Sequence, residues 1–293
     1  MSMIGWEFRL PEFRLPVGQA FEILVNWLNA NLDVVFNLIT VVLNTLVVAL
    51  ENGLGLIPVP LMVALMALLA WRLAGRGLAI FTVIGFTVIA GMDLWTETLQ
   101  TLSLVIISTL VALGIGIPLG IWASRSNLLN NLLRPILDFM QTLPAFVYLI
   151  PAILFFTVGR VPGVIATVIF AMPPAIRLTN LGIRQVPQDV IEAAHAFGST
   201  SNQLLTKVQL PMALPTIMAG INQTIMLALS MVVIASMVGA PGLGKEVLYG
   251  VTQLDIATGF EGGLAVVLVA MFLDRVTESL GKGGHSKGNA NQH

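Results

Sequence analysis

Long apolar stretches alternate with short polar intervals along most of this chain. A helix that crosses a bilayer needs about 20 predominantly apolar residues, because the hydrocarbon core is about 30 Å thick. Eight stretches approach that length: residues 32–50, 57–71, 78–92, 98–123, 136–158, 161–176, 215–238 and 262–273. The second, third and eighth are short, so they must include flanking polar residues to cross. The pattern predicts an all-α polytopic membrane protein with about eight transmembrane helices, and seven spans remain an alternative.

Composition supports this fold class and excludes several functions. Hydrophobic residues make up 56% of the 293 residues and charged residues 10%, whereas a soluble domain is about 25% charged. We therefore expect one membrane domain and no separate soluble domain. The chain contains no cysteine, which excludes a disulfide framework and a thiolate metal site. Its net charge of -1 provides no general basic surface for nucleic acid.

The N-terminal residues are expected to lie outside the bilayer core. Residues 1–16 lack the order of charged, apolar and small residues that marks a cleaved signal peptide. They contain a repeated Phe-Arg-Leu-Pro, whose prolines interrupt a helix. Residues 17–28 are amphipathic and suit the headgroup layer, but they fit the start of the first span equally well.

The distribution of Lys and Arg predicts the orientation of the chain, because cytoplasmic loops retain positive charge. We place the polar interval around Glu192 on the inside of an eight-span arrangement. Then 12 of the 14 Lys and Arg residues are cytoplasmic, and only Arg160 and Lys245 lie outside. Both termini are then cytoplasmic. The Gly-, Asn- and Lys-rich residues 279–293 are predicted to form a flexible tail.

Ionisable residues are almost absent from the interior of the predicted spans. The nearest carboxylates lie at or near the predicted ends: Asp93, Glu97, Asp138, Glu261 and Asp274. The chain of buried acids that a proton-coupled carrier uses is therefore missing. The sequence also contains no catalytic motif and no cluster with metal-ligand spacing, so we predict neither a catalytic residue nor a metal site.

Polar residues within the spans are candidates for the lining of a solute pathway. The candidates are Gln141, Thr142 and Tyr148 in the fifth stretch, and Thr216, Asn222, Gln223 and Ser230 in the seventh. Thr216, Gln223 and Ser230 recur every seven residues, which places them on one helix face. Two interpretations remain open. These groups either form hydrogen bonds between helices, worth about 0.6 kcal/mol each, or face a pathway for a polar zwitterion.

Two local features resemble binding sites without meeting their requirements. Residues 239–246 reproduce the Gly-x-x-x-x-Gly-Lys order of a phosphate-binding loop. Glu246, however, stands where Ser or Thr would hold magnesium, and its carboxylate would repel phosphate. We expect an external turn there. His195 has no second ligand within reach, so we interpret it as a solvated or docking residue.

The longest polar interval predicts a small helical hairpin between two spans. Its first helix carries an apolar face formed by Val190, Ile191, Ala194 and Phe197. Gly198 suits the left-handed conformation that ends a helix. A second helix begins with the capping-box spacing of Thr200 and Gln203, and Leu210-Pro211 is expected to close it. An apolar face outside the bilayer indicates a docking surface.

This interval resembles the Glu-Ala-Ala loop of permease subunits of ATP-binding-cassette (ABC) importers. The matching spacing is Glu-Ala-Ala from residue 192, three residues, Gly198, nine residues, an aliphatic residue, one residue and Leu210-Pro211. The resemblance runs without a break from about Trp95 to Arg275. Three further segments look like the glycine betaine/proline betaine permeases: residues 141–148, 170–179 and 218–224.

The resemblance implies a type I ABC importer permease fold with a cytoplasmic coupling helix. It divides the chain into an N-terminal cytoplasmic or interfacial segment (1–31), N-terminal transmembrane helices (32–97), a permease core (98–278) with its coupling loop (179–214), and a tail (279–293). The implied coupling residues are Glu192, Ala193, Ala194, Phe197, Gly198, Leu210 and Pro211.

The resemblance also implies the function and the partners. The chain would be a non-catalytic permease subunit in the cell inner membrane, working as a homodimer with two ATPase subunits and a separate extracytoplasmic solute-binding protein. ATP and magnesium would be bound by the ATPase, and this chain would bind no cofactor. The implied substrate is glycine betaine, proline betaine or a related quaternary-ammonium compatible solute. A self-sufficient channel, a secondary carrier for a small polar solute and a non-transporting scaffold for the ATPase are the alternatives.

Overall fold

The computed structural model describes residues 16–282, and every regular element in that range is helical. The helices are α1 (Val17–Gly55), α2 (Val59–Ala74), α3 (Arg76–Gly91), α4 (Trp95–Arg125), α5 (Asn127–Thr142), α6 (Leu149–Phe156), α7 (Arg160–Arg184), α8 (Gln188–Ala196), α9 (Ser201–Leu204), α10 (Leu210–Ser236), α11 (Leu243–Gln253) and α12 (Ile256–Lys282). A 3₁₀ turn (Ala145–Tyr148) joins α5 to α6, and a π-helical segment (Leu205–Gln209) joins α9 to α10. The all-α prediction is confirmed. Most of the N-terminal repeat and the tail beyond residue 282 lie outside the described residues.

Each of the eight apolar stretches lies largely in helical structure, but helix length does not establish eight spans. Five helical segments of the described chain are long and apolar enough to cross a membrane. The fifth predicted stretch is not one straight helix. It is broken near Leu143-Pro144, where α5 and the segment leading into α6 are bent by 109°. Helices α2 and α3 have 16 residues each, or about 24 Å at 1.5 Å per residue, which is less than the hydrocarbon thickness.

Two helices are longer than the apolar pattern suggested. Helix α12 extends the short eighth stretch to 27 residues, as expected for a span that includes flanking polar residues. Helix α1 runs without interruption through 39 residues. Residues 17–28 are therefore continuous with the first long helix and do not form a separate element.

Helices α4, α7 and α10 pack closely at the centre of the bundle because small residues line their contacts. A Cβ atom at Gly120 of α4 would lie 2.7 Å from the carbonyl oxygen of Ile176 on α7. A Cβ atom at Gly220 of α10 would lie 3.0 Å from the Cβ of Leu178. Helix association in a bilayer depends on such close packing, since lipid tails are as apolar as leucine side chains. Many outward-facing side chains are large and apolar, Val34 among them, as a lipid-facing surface requires.

The bundle has two distinct polar ends. At one end, Arg160 at the start of α7 forms an ion pair with Glu51 near the end of α1, with 3.0 Å between Nη2 and Oε2. At the opposite ends of α4 and α7, Arg125 donates to the Ser201 carbonyl at 2.9 Å and Arg184 donates to the Ala123 carbonyl at 2.9 Å. The predicted outside residue Arg160 is thus separated from these predicted inside arginines, as the orientation requires.

Candidate coupling and pathway sites

Helix α8 forms the first half of the predicted hairpin and projects from the bundle. It begins after Pro187, and Gly198 follows its end with a φ of 79°. The backbone N–H of Gly198 donates to the His195 carbonyl at 2.9 Å, and that of Ser199 to the Ala194 carbonyl at 3.0 Å. These bonds satisfy carbonyls that would otherwise lack partners at the helix end. The left-handed conformation predicted for Gly198 is confirmed.

The surface of α8 is left open by the rest of the described chain. No residue of α8 is buried, and Phe197 just after it is 91% exposed. Glu192, Ala193 and His195 are exposed as well, while Ala194 is half-buried. An exposed apolar ring and an exposed carboxylate on the same short segment suit docking onto another protein.

Helix α9 begins with the predicted capping box. The Gln203 N–H donates to the Thr200 hydroxyl at 3.3 Å, and the Thr200 N–H donates to the Gln203 amide oxygen at 2.9 Å. Arg125 at the end of α4 donates to the Ser201 carbonyl. Leu204 and Leu205 are buried, and Leu205 packs in an apolar cluster with Ile183 of α7. The second half of the hairpin is therefore fixed to the bundle, in contrast to α8.

The prediction that Leu210-Pro211 closes the second short helix is wrong. The chain continues from α9 through the π-helical segment into α10, so that Ser201–Ser236 is one helical span. Proline lacks an N–H group and its ring clashes with the preceding turn of a regular helix. The wider π-helical turn lies directly before Pro211, at the place where the regular hydrogen-bond pattern changes. Leu210 is half-buried and Pro211 is exposed.

The pathway candidates of α10 fall into two groups. Gln223 and Ser230 are exposed on a stripe that also contains Ala219 and Met226. The Ser230 hydroxyl donates only to the Met226 carbonyl of its own helix, at 2.9 Å. Thr216, by contrast, is half-buried and packs against Gly182 of α7.

Asn222 links two helices. Its amide Nδ2 donates to Asp274 of α12 at 3.1 Å, and its Oδ1 accepts from the Thr277 hydroxyl at 2.7 Å. These bonds satisfy an amide and a carboxylate within apolar helices, where unsatisfied polar groups are costly. Of the two interpretations left open by the sequence, the hydrogen bond between helices therefore describes Asn222.

The candidates near the break between α5 and α6 also divide. Gln141 and Thr142 are exposed at the end of α5, where the Thr142 hydroxyl donates to the Phe139 carbonyl at 3.1 Å. Tyr148 is buried, and its hydroxyl donates across the bend to the Met140 carbonyl. Tyr148 thus stabilises the bend, whereas the side chains of Gln141 and Thr142 are exposed.

The segment that resembles a phosphate-binding loop is packed into the bundle and is not an open turn. A Cβ atom at Gly242 would lie 2.5 Å from the Thr101 hydroxyl of α4, and the Leu243 N–H donates to that hydroxyl at 2.9 Å. The Ser236 hydroxyl donates to the Gly244 carbonyl at 3.0 Å. These backbone groups are used in packing. Within the described residues there is no cluster of His, Asp or Glu suited to a metal ion.

Sequence reasoning missed two features near this end of the bundle. Helix α11 was not predicted, because it is short and carries no continuous apolar pattern. Its two glycines allow close packing, since a Cβ atom at Gly244 would lie 2.3 Å from the Val232 carbonyl oxygen and one at Gly250 would lie 2.2 Å from the Gly259 Cα. The contact of Glu51 with Arg160 and with Gln100, whose Nε2 donates to Oε1 at 3.2 Å, joins residues far apart in the chain. Helical periodicity cannot reveal such pairs.

Residues 116–282 match the model of the family described as binding-protein-dependent transport system inner membrane component. The chain is 53% identical over 282 residues to the glycine betaine transport system permease protein OpuAB of Bacillus subtilis, with 96% of this chain and 99% of that protein covered. It is 46% identical over 265 residues to the glycine betaine/proline betaine transport system permease protein ProW of Escherichia coli, with 90% of this chain and 75% of that protein covered.

The fold is similar to that of a chain in a solved structure of the MetNI methionine ABC transporter in an inward-facing conformation. The TM-score is 0.61 at 21% sequence identity, and the likeness covers 65% of this chain and 95% of that one. At this identity the comparison supports the fold alone. The type I ABC importer permease fold is thereby confirmed, and with five apolar helices of spanning length the chain is a multi-pass membrane protein.

Proposed function

The chain belongs to the family of binding-protein-dependent transport system inner membrane components, and from this membership we propose that it forms the membrane pathway of an ATP-driven importer for glycine betaine, proline betaine or a related quaternary-ammonium compatible solute. The observation that carries the proposal is the likeness to betaine permeases over nearly the whole chain. The exposed α8, with the anchor positions of the Glu-Ala-Ala loop in place, supports the importer class independently of substrate.

The proposed partners are two ATPase subunits, an extracytoplasmic solute-binding protein and a second copy of this chain. The ATPase subunits would bind ATP and magnesium, and the chain itself would be a non-catalytic subunit without a cofactor. The support for an ATPase partner is the combination at α8 of an exposed Phe197 ring and an exposed Glu192 carboxylate. An aromatic side chain of this kind is a typical anchor of a protein interface.

Coupling would proceed through the connections on either side of α8. The preceding helix α7 is the most buried of the five long apolar helices in the described residues. The following α9 is fixed by its capping box and by the bond from Arg125, and it continues into α10. A displacement of α8 by an ATPase would therefore act on α7 and α10 together. Glu192, Ala193, Ala194, Phe197 and Gly198 would form the docking surface, and Leu210 and Pro211 would mark the entry into α10.

The pathway would be lined by the exposed members of the candidate set. Gln223 and Ser230 offer hydrogen-bonding groups along one face of α10, and Gln141 and Thr142 offer them beside the bend after α5. Such groups can replace part of the water around the carboxylate of a zwitterion. Asn222, Thr216 and Tyr148 would support this lining through the contacts described above.

Reconstitution into proteoliposomes tests the proposal. The chain, its partner ATPase and the matching binding protein should together accumulate radiolabelled glycine betaine only when ATP is supplied. ATPase activity should rise when the loaded binding protein is added. Uptake by the chain alone, without the ATPase or ATP, would instead identify a channel or secondary carrier and refute the assignment.

A further inference from the structure

A cleft of about 630 Å³ lies between α5 and the second half of α7. Its polar lining includes Arg134 and Asn130 of α5, together with Arg177, Asn180 and Arg184 of α7. The coupling and pathway residues discussed above are not part of this lining.

Helix α5 turns its polar face toward α7 and its apolar face away from the bundle. Asn130 accepts from Asn180 at 2.7 Å, and Asn127 accepts from Arg184 at 2.9 Å. On the opposite face, the exposed apolar side chains are Leu128, Leu132, Ile136 and Phe139. In a soluble protein an amphipathic helix buries its apolar face. The reverse arrangement indicates an apolar surrounding along residues 128–139 of α5, which we take to be the bilayer, whereas Gln141 and Thr142 lie at the far end of the helix beside the bend.

The charges in the cleft do not balance. Asp138 is its single carboxylate, and it pairs with Arg177 at 2.5 Å. Arg184 donates to neutral acceptors, namely Asn127, Asn180 and the Ala123 carbonyl. Within residues 16–282, Arg134 has neither a hydrogen bond nor an ion-pair partner. Three guanidinium groups therefore face one carboxylate, and an excess positive charge beside apolar surface is unfavourable without an anion.

The cleft also contains apolar lining. Leu133 and Leu181 are partly exposed beside the arginines, while Leu137 and Ile176 lie at its base. A small soluble anion would make no apolar contacts with this surface, whereas an amphiphile can place its charged group on the arginines and its chain along the leucines. The cleft lies at the same end as Arg125 and α9, which the distribution of Lys and Arg assigns to the cytoplasmic side.

We propose that this cleft binds the headgroup of an anionic phospholipid from the cytoplasmic leaflet. The phosphodiester would accept hydrogen bonds from Arg134 and Arg184, since the planar guanidinium presents parallel donors that match phosphate oxygens. Arg177 contributes less because Asp138 already neutralises it. The neighbouring leucines contact the start of an acyl chain. Basic recesses between helices on the cytoplasmic side are suited to such headgroups.

A lipid titration of the purified full-length chain in a non-ionic detergent tests this site. Melting temperature is followed as phosphatidylglycerol is added, because a ligand that binds only the folded state raises it. Phosphatidylcholine with the same acyl chains and sodium phosphate are titrated in parallel. Phosphatidylglycerol should stabilise the chain at the lowest concentration. Since this assay does not measure transport, its failure and the failure of the proposed function are distinguishable.

Two variants should shift the apparent affinity in opposite directions. Arg134→Gln removes an unpaired charge and should weaken phosphatidylglycerol binding about fivefold. Asp138→Asn releases Arg177 and should strengthen binding by a similar factor. Arg76→Gln is the matched control, because Arg76 is exposed on α3 and lies outside the cleft.

Three outcomes would overturn the proposal. Wild-type affinity in Arg134→Gln would exclude the cleft as the binding site. An equal loss in Arg76→Gln would indicate attraction to general surface charge. Stabilisation by sodium phosphate equal to that by phosphatidylglycerol would identify a site for free anions and not for lipid. If Asp138→Asn lowers the melting temperature without lipid, the Arg134→Gln result decides alone.

Discussion

The two ends of the bundle use polar side chains in opposite ways. At the Glu51 end, Glu51 pairs with Arg160 and Gln100, and the Thr101 hydroxyl accepts a backbone N–H across two helices. At the other end, α8 leaves Glu192 and Phe197 exposed. The Glu51 carboxylate therefore has its partners within the chain, whereas the Glu192 carboxylate and the Phe197 ring face the surroundings.

This difference separates stability from function. A polar group that is paired inside the chain contributes to the free energy of unfolding, and its loss leaves a partner unsatisfied. An exposed group with no partner in the chain contributes little to folding and is available for an external contact. Substitutions at the Glu51 end should therefore lower the melting temperature, whereas substitutions in α8 should lower ATP-driven uptake.

The largest effect is expected for Phe197→Ala, which removes the most exposed part of the proposed docking surface. Truncation of an aromatic anchor at an interface costs about 2 kcal/mol or more, which corresponds to about 30-fold weaker docking. ATP-driven uptake should fall accordingly, while the melting temperature of the isolated chain stays near that of the wild type. Phe21→Ala, which truncates an exposed ring on α1, should leave both unchanged. Full uptake with Phe197→Ala would remove α8 from the coupling mechanism.

Glu51→Gln tests the Glu51 end of the bundle, and its main effect should be a loss of stability. The Glu51 and Arg160 side chains are 17% and 30% exposed, so the guanidinium would lose its anion in a partly desolvated position. Solvent screening reduces the effect relative to a fully buried pair, and we expect a loss of about 1–2 kcal/mol in the free energy of unfolding. Thermal melts of Glu51→Gln, Arg160→Gln and the double variant measure the coupling between the two side chains. Additive losses would show that the pair contributes nothing as a pair.

Adjacent residues of α10 repeat the same comparison within one helix. Gln223→Leu should reduce uptake several-fold with little change in stability, because Gln223 is exposed and makes no described contact that holds the bundle. Asn222→Leu should lower stability by about 1 kcal/mol, since Asp274 and Thr277 lose their partner. Uptake and melting temperature are measured for both. If Gln223→Leu lowers stability but leaves uptake normal, Gln223 is a packing residue and does not line the pathway.

The features that sequence predicts well here are those encoded by local spacing. Continuous apolar runs located the eight helical stretches, Gly198 marked the end of α8, and Thr200 with Gln203 marked the start of α9. Each depends on residues within a few positions of one another, where backbone geometry determines which groups can meet.

The missed or incorrect features depend on contacts between distant segments. Asn222 was grouped with Gln223 because both are polar, and only its contact with Asp274, 52 residues later, separates their roles. The bend between α5 and α6 is stabilised by Tyr148, and the continuation through Pro211 depends on a π-helical segment. Neither follows from the apolar pattern, since a proline is compatible with a helix end as well as with a local change of helix type.

The smallest effect is expected at Asp255, which precedes α12. This residue is intermediate between the paired groups of the Glu51 end and the exposed groups of α8. It is half-exposed, but its carboxylate accepts from the Thr258 hydroxyl at 2.8 Å and from the Thr258 N–H at 3.2 Å. The Thr258 side chain, followed by the Thr258 backbone, holds the pKa of the Asp255 carboxyl below its usual value. A carboxylate with a lowered folded-state pKa stabilises the fold above its unfolded-state pKa of about 4. That contribution disappears as pH falls through the folded-state pKa.

Asp255→Asn keeps the shape of the cap but removes its charge, so the melting temperature at pH 6 should fall by only about one or two degrees. The difference between wild type and variant should shrink as the pH is lowered from about 4 toward 2, because the wild-type carboxylate becomes protonated. Thr258→Val removes the hydroxyl donor, so in this background the effect of Asp255→Asn on melting temperature should depend less on pH. If the difference in melting temperature between wild type and Asp255→Asn stays constant from pH 6 to pH 2, the charge of Asp255 does not contribute to the start of α12.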